Sequence, residues 1–209
     1  MNLPNKITIS RIMFVPVFMM FVLQLPHWVT EMFPALEAYN GFVVSYGYYI
    51  GAVFYIIASS TDGVDGYIAR KRKQVTKLGI FLDPIADKLL VAAALIALVE
   101  RYRITGDEVM MGVSGWAAMV IISREFIVTG LRLVVAGEGV VLKAGGLGKL
   151  KMVVQTVAIS AALLGNFPLS LVTDFPFDAL FMAMAVVVTV YSGVDYVVKN
   201  VRHINSKSG

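Results

Sequence analysis

Residues 61–88 read TDGVDGYIARKRKQVTKLGIFLDPIADK. Four aspartates, Asp62, Asp65, Asp83 and Asp87, fall in this stretch, yet the 209-residue chain is 58% hydrophobic and only 15% charged. Its mean hydropathy of +0.76 lies far to the apolar side of soluble domains and marks a polytopic membrane protein. Carboxylates are costly in hydrocarbon, so a cluster of them requires a charge partner. Asp62 and Asp65 are spaced i, i+3, and Asp83 and Asp87 i, i+4, so each pair projects from one side of its helix. Two antiparallel helices joined by the loop around Lys71–Lys77 bring the pairs face to face.

Four carboxylates in a confined, partly desolvated space repel one another unless positive charge sits between them. Hard oxygen ligands suit magnesium, manganese or calcium, and four of them hold two ions close together, an arrangement that clamps attacking and leaving oxygens in phosphoryl chemistry. Other donors are scarce, because the chain has no cysteine and only His27 and His203. The competing account makes the aspartates solvated interface residues paired with Arg70 or Lys88. Two helix-spaced pairs across one loop weigh against it, since ionisable groups inside a membrane are usually functional. Gly66 and Ala69 follow Asp65, and Gly79 opens the next helix; their missing side chains let a bulky ligand approach the backbone. Helix packing through small residues explains Ala69 equally well but Gly66 poorly. Arg70 adds a planar fork suited to phosphate oxygens.

Outward from this stretch, about 20 apolar residues are needed for each membrane crossing. Six candidates lie near Ile9–Leu25, Phe42–Thr61, Leu78–Val99, Met110–Leu131, Met152–Val172 and Phe177–Val194. Pro26, Pro34, the Gly145-Gly146 pair, Pro168 and Pro176 punctuate the gaps. The expected fold is therefore all-α: six transmembrane helices in a single domain over residues 1–209, with Met1–Arg11 as a short interfacial helix. The N-terminal apolar run lacks a small-residue cleavage site and carries Pro16, so it is expected to be retained rather than removed as a signal peptide. With the N-terminus cytoplasmic, all but Lys88, Arg101, Arg103 and Arg124 of the 18 lysines and arginines fall on the cytoplasmic side. The positive-inside rule thus puts both termini in the cytoplasm. The net charge of +4 suits an anionic membrane surface, and nothing points to nucleic acid.

Written out, the opening stretch is D-x2-D-G-x2-A-R-x8-G-x3-D-x3-D, supplied by Asp62, Asp65, Gly66, Ala69, Arg70, Gly79, Asp83 and Asp87. It matches the signature of the CDP-alcohol phosphatidyltransferase family at every fixed position. NLPNKITISR at the start, SREFIVTGLR from Ser123 and GKLKMVVQ from Gly148 resemble the bacterial phosphatidylglycerophosphate synthases of that family. The resemblance implies a six-span enzyme of the bacterial cytoplasmic membrane, usually a homodimer, with its active site at the cytoplasmic surface. It implies two divalent cations, Mg2+ or Mn2+, on Asp62, Asp65, Asp83 and Asp87, with Asp87 also the base. Gly66 and Arg70 would contact CDP-diacylglycerol, Ala69 and Gly79 would line its pocket, and Thr76, Asn5 and Thr8 would close over the nucleotide.

The acceptor has to be read from other residues. Arg124 and Arg132, eight apart, fall near one helix face, and Lys149 and Lys151 open the next span. An arginine at that depth calls for an anion. The phosphate of an acceptor such as sn-glycerol 3-phosphate meets that demand; the neighbouring Glu125, as a structural partner, is the competing explanation. Phosphatidylglycerol, inositol phosphate or serine as acceptor, a cation transporter, and an inactive scaffold are the other accounts. A transporter predicts acids near the midplane and a path to both sides, whereas these four lie toward the cytoplasmic end.

Overall fold

The computed structural model describes residues 3–71, 77–105, 113–137 and 146–205, and the side chains of 12–60, 85–86, 88–103, 113–135 and 146–200. Helices account for nearly all of it, and no strand occurs among the described residues. The long elements are α1 (Leu3–Val22), α4 (Tyr48–Lys71), α5 (Lys77–Thr105), α6 (Gly115–Gly137), α7 (Gly146–Leu163) and α8 (Phe177–Asn205). Short α2 (His27–Met32) and α3 (Glu37–Phe42), a 3-10 turn and the π-helical turn Val43–Gly47 connect α1 to α4.

By length and composition, three segments among the described residues could cross a membrane: Pro34–Ser60, Gly146–Leu163 and Phe177–Asn200. Charge sets α5 and α6 apart. α5 carries Asp83, Asp87, Lys88, Glu100, Arg101 and Arg103, and α6 carries Arg124, Glu125 and Arg132. The outer surface is nevertheless strongly apolar, with Met20, Ile57, Trp116, Met119, Val187 and Val198 each more than half exposed. In water such a surface would be an aggregation liability; against lipid tails it is the ordinary covering of a membrane protein.

Several boundaries differ from the sequence expectation, three of them with a visible consequence for the fold. The segment expected to lie on the membrane surface and the one expected to enter it are a single helix, α1, running through Pro16. The fifth helix ends at Leu163 rather than near Val172, because Gly165 and Asn166 adopt left-handed backbone at φ of 61° and 65°, which no α-helix continues through. Gly146, expected in the gap, starts α7.

α1 buries Val15, Phe18 and Val22, spaced as one helical stripe. That stripe approaches Gly47 and Gly51 closely. A side-chain carbon on Gly47 would lie 2.0 Å from the Phe21 carbonyl oxygen, and one on Gly51 would lie 2.3 Å from Val22 Cγ1. Small residues four apart let two backbones meet in this way. Tyr39 and Asn40 complete the α1 end: the Tyr39 hydroxyl lies 2.5 Å from the Met20 carbonyl oxygen, and Asn40 bonds both the N–H and the carbonyl of Leu25.

Two polar layers bracket the core. In one, the Arg101 guanidinium donates to the carbonyls of Leu163 at 3.0 Å and Ala162 at 3.3 Å, capping α7, and covers the Tyr48 ring at 4.2 Å. Tyr102 donates to Asp178 at 2.5 Å, tying α5 to α8. In the other layer, Lys88 of α5, Glu125 of α6 and Lys151 of α7 form ion pairs. Thirteen residues separate Lys88 from Arg101 and fourteen separate Asp178 from Ser192, so the layers stand about 20 Å apart at ~1.5 Å per residue. Between them, Ala94, Leu95, Ala97, Leu98, Ile121, Ala158, Ile159, Ala162 and Met182 are closed to solvent. The long helices therefore alternate in direction. α4 runs from the Arg101 layer to the Lys88 layer and α5 returns; α7 runs as α5 does, from Lys151 to Leu163, and α8 runs back as α4 does, from Asp178 to Ser192.

The close approach of α1 and α4 is directly testable in detergent. Gly47→Ala should destabilise the protein by about 1–3 kcal/mol through overpacking against backbone. Gly41→Ala, where an added carbon meets nothing within 4 Å, should change stability by less than ~0.5 kcal/mol. Equal thermal midpoints for the two variants would refute the contact.

Candidate functional site

α4 carries Asp62, Asp65, Gly66, Ala69 and Arg70, and α5 carries Gly79, Asp83 and Asp87. Both segments are α-helical, so the i, i+3 and i, i+4 spacings apply as expected. The helices run antiparallel, and the two aspartate pairs therefore fall at the same end of the bundle. Asn5 and Thr8 lie on α1. The side chains of all these residues lie outside the described set, as does Thr76 entirely. Among the described residues, no group of three metal-ligating side chains occurs.

What the described residues do form, beside the aspartate stretch, is a buried ionic cluster. Glu125 is 3% exposed, and its two carboxylate oxygens serve different helices. Oε2 meets Lys88 Nζ at 2.9 Å; Oε1 pairs with Lys151 Nζ and lies 3.8 Å from Arg124 Nη1. Lys151 is 5% exposed. Among the described residues, this one carboxylate faces three cations in a place where water screens charge poorly. Lys88 directly follows Asp87 in α5.

A stripe on α8 completes the interior. Ser192 accepts a hydrogen bond from Arg124 Nη2 at 2.9 Å. The hydroxyls of Thr189 and Tyr196, one turn to either side, are buried with no hydrogen-bond partner among the described residues, and so are Arg124 Nε and Gln155 Oε1. Buried polar atoms are almost always paired, and several unpaired ones in one region are the pattern of a binding site rather than a packing core.

Lys88, Lys151 and Gln155 also line a cavity of ≈ 210 Å³ between α4, α5 and α7, together with Tyr55, Ser59, Ser60 and Thr156. Its rim includes Met152, Val153 and Val157, each close to half exposed. A polar floor beside an apolar, outward-facing rim suits an amphiphile. Ser60 lies two residues before Asp62, so this cavity adjoins the aspartate stretch.

Of the basic residues expected to bind acceptor phosphate, Arg124 and Lys151 converge on Glu125, whereas Arg132 and Lys149 are exposed. The Tyr196 hydroxyl lies within electrostatic reach of both Arg124 and Arg132. Sequence reasoning missed Gln155, Thr189, Ser192 and Tyr196. A signal existed for each: Gln155 stands one turn after Lys151, and the other three repeat at helical spacing through an otherwise apolar run.

A model of the CDP-alcohol phosphatidyltransferases matches residues 1–191, and the chain belongs to that family. It is 49% identical over 199 residues to the CDP-diacylglycerol–glycerol-3-phosphate 3-phosphatidyltransferase of Bacillus subtilis (strain 168), covering 95% of each chain. It is 34% identical over 195 residues to the protein of the same name from Rickettsia typhi, covering 93% of this chain and 94% of the relative.

The ionic cluster generates a stability prediction. Glu125→Ala leaves the buried Lys151 and the half-buried Lys88 without this carboxylate and should destabilise the protein by about 3–5 kcal/mol. Adding Lys151→Met should recover part of that loss. A Glu125→Ala variant that melts like wild type in detergent would show that the cluster contributes nothing to the fold.

Proposed function

We propose that the protein transfers the phosphatidyl group of CDP-diacylglycerol to sn-glycerol 3-phosphate, giving phosphatidylglycerophosphate and CMP. The carrying observation is the convergence of Arg124, Lys151 and Lys88 on the buried Glu125 carboxylate, at the end of the bundle where the aspartate motif lies. The names of the full-length relatives support the same reaction. Within the family, an acceptor phosphate is the anion that such a cluster would take.

Asp62, Asp65, Asp83 and Asp87 are the donor set for two divalent cations, magnesium or manganese. Four hard oxygens on antiparallel helices suit such ions, and no thiolate competes in a chain without cysteine. When bound, the ions supply neutralisation of pyrophosphate charge and stabilisation of the departing CMP. Arg70 holds the nucleotide's phosphates through its fork, and Gly66, Ala69 and Gly79 leave space for the nucleotide against the helices. Asn5, Thr8 and Thr76 close over it. The acyl chains stay in the bilayer, and the rim at Met152, Val153 and Val157 gives them an apolar surface.

Arg124 and Lys151, with Arg132 and Lys149 further out, hold the acceptor's phosphate so that its hydroxyl faces the diacylglycerol-bearing phosphorus. Asp87 accepts the hydroxyl proton as the new oxygen–phosphorus bond forms and the bond to CMP breaks. No covalent enzyme intermediate is required. The protein crosses the membrane six times, as a homodimer, with both termini and the site at the cytoplasmic face, where sn-glycerol 3-phosphate is dissolved.

CMP release from CDP-diacylglycerol by purified protein tests this reading, with magnesium or manganese and a panel of acceptors. Release should require sn-glycerol 3-phosphate and fall by at least ~100-fold in Asp62→Asn. Absence of release with every acceptor, with Asp62→Asn indistinguishable from wild type, would overturn the transferase assignment. Release with inositol phosphate but not glycerol 3-phosphate would overturn the acceptor alone.

A further inference from the structure

Arg124 enters the bundle interior from α6 and turns toward α8. Its Nη2 donates to Ser192 Oγ at 2.9 Å, and its side chain is 15% exposed. Ser192 is 2% exposed and spends its own hydrogen on the Thr189 carbonyl at 3.2 Å. That bond fixes the hydroxyl rotor and leaves the oxygen as an acceptor aimed at the guanidinium. The next residue, Gly193, leaves room for the arginine stem. A side-chain carbon there would lie 3.0 Å from Arg124 Cγ and 3.6 Å from Nε. Any larger residue at 193 therefore moves the arginine away from α8 or changes its rotamer.

We propose that Ser192 and Gly193 are positioning residues, acting through Arg124 to fix its guanidinium for the phosphate of a small phosphorylated polyol acceptor. This rests on the reading of Arg124 as an acceptor ligand. Two observations carry the step from packing to function. Arg124 Nε and the Tyr196 hydroxyl are both buried with no hydrogen-bond partner among the described residues, so this arrangement does not serve to satisfy the arginine. Arg124 also keeps its 3.8 Å separation from Glu125, longer than the contacts Glu125 makes with the lysines. The guanidinium is held by the neutral Ser192 hydroxyl more closely than by the carboxylate, which leaves its charge available to an anion. A long, flexible side chain fixed in advance loses less freedom on binding, and the gain appears as acceptor affinity.

Steady-state CMP release, with each substrate varied at saturating levels of the other, tests the proposal. Ser192→Ala and Gly193→Ala should each raise KM for sn-glycerol 3-phosphate by about tenfold, the scale of one hydrogen bond to a charged group. KM for CDP-diacylglycerol and the thermal midpoint in detergent should stay at their wild-type values. In an Arg124→Ala background, or Arg124→Lys where the alanine variant is too slow to follow, neither substitution should raise KM further. Three results would overturn the proposal: an unchanged acceptor KM in both variants while Arg124→Ala raises it, full additivity with Arg124→Ala, or parallel rises in both KM values with a lowered midpoint. An unchanged acceptor KM in Arg124→Ala itself would instead remove the acceptor reading of Arg124, and this proposal with it.

Discussion

Glu125 joins three helices through one carboxylate, with Lys88 on α5, Lys151 on α7 and its own neighbour Arg124 on α6 around it. An unpaired lysine or glutamate in a low-dielectric interior costs several kcal/mol, and an ion pair recovers that cost only with tight geometry. The three helices are therefore held at one register: a shift of one turn in any of them would separate charges that cannot be solvated. That register sets the stretch of α5 just after its motif aspartates beside α6 and α7. The Arg101 layer, about 20 Å away along the helices, fixes the opposite end through α7 carbonyls, Tyr48 and the Tyr102–Asp178 bond.

The core between the layers is built largely from alanines and branched aliphatics, which allow close helix approach without polar groups. Such a core stabilises the bundle by packing alone, since lipid tails are as apolar as the side chains they would replace. Specificity of arrangement falls to the polar layers. The residues that make α5 and α6 poor membrane spans by composition are the ones that align them with their neighbours and border the candidate site.

The helical character of the chain and the helix-bearing position of each motif aspartate were legible from periodicity and hydropathy. Helix ends were less so. The end of α7 depends on left-handed backbone at Gly165 and Asn166, and hydropathy does not register backbone conformation: the apolar run continues past the turn to Val172. The close approach at Gly47 and Gly51 was also missed, since a glycine's packing role depends on which helix lies opposite. For the site, Arg124 and Lys151 were visible as charges out of place in an apolar run. Their shared partner Glu125 was visible only as a neighbour of one of them, because its contacts with Lys88 and Lys151 span 37 and 26 residues of chain. Ser192, Thr189 and Tyr196 look like ordinary helix residues until α6 is laid against α8.

The proposed site has two halves: an aspartate half on α4 and α5 for the liponucleotide, and a basic half on α6, α7 and α8 for the acceptor. Equilibrium binding of radiolabelled sn-glycerol 3-phosphate to Asp87→Asn protein, saturated with CDP-diacylglycerol and magnesium, tests that division most directly. Saturable binding to Asp87→Asn, in which the proposed base is removed, and loss of that binding when Arg124→Ala is added are the expected results. Equal binding with and without Arg124 would contradict that division.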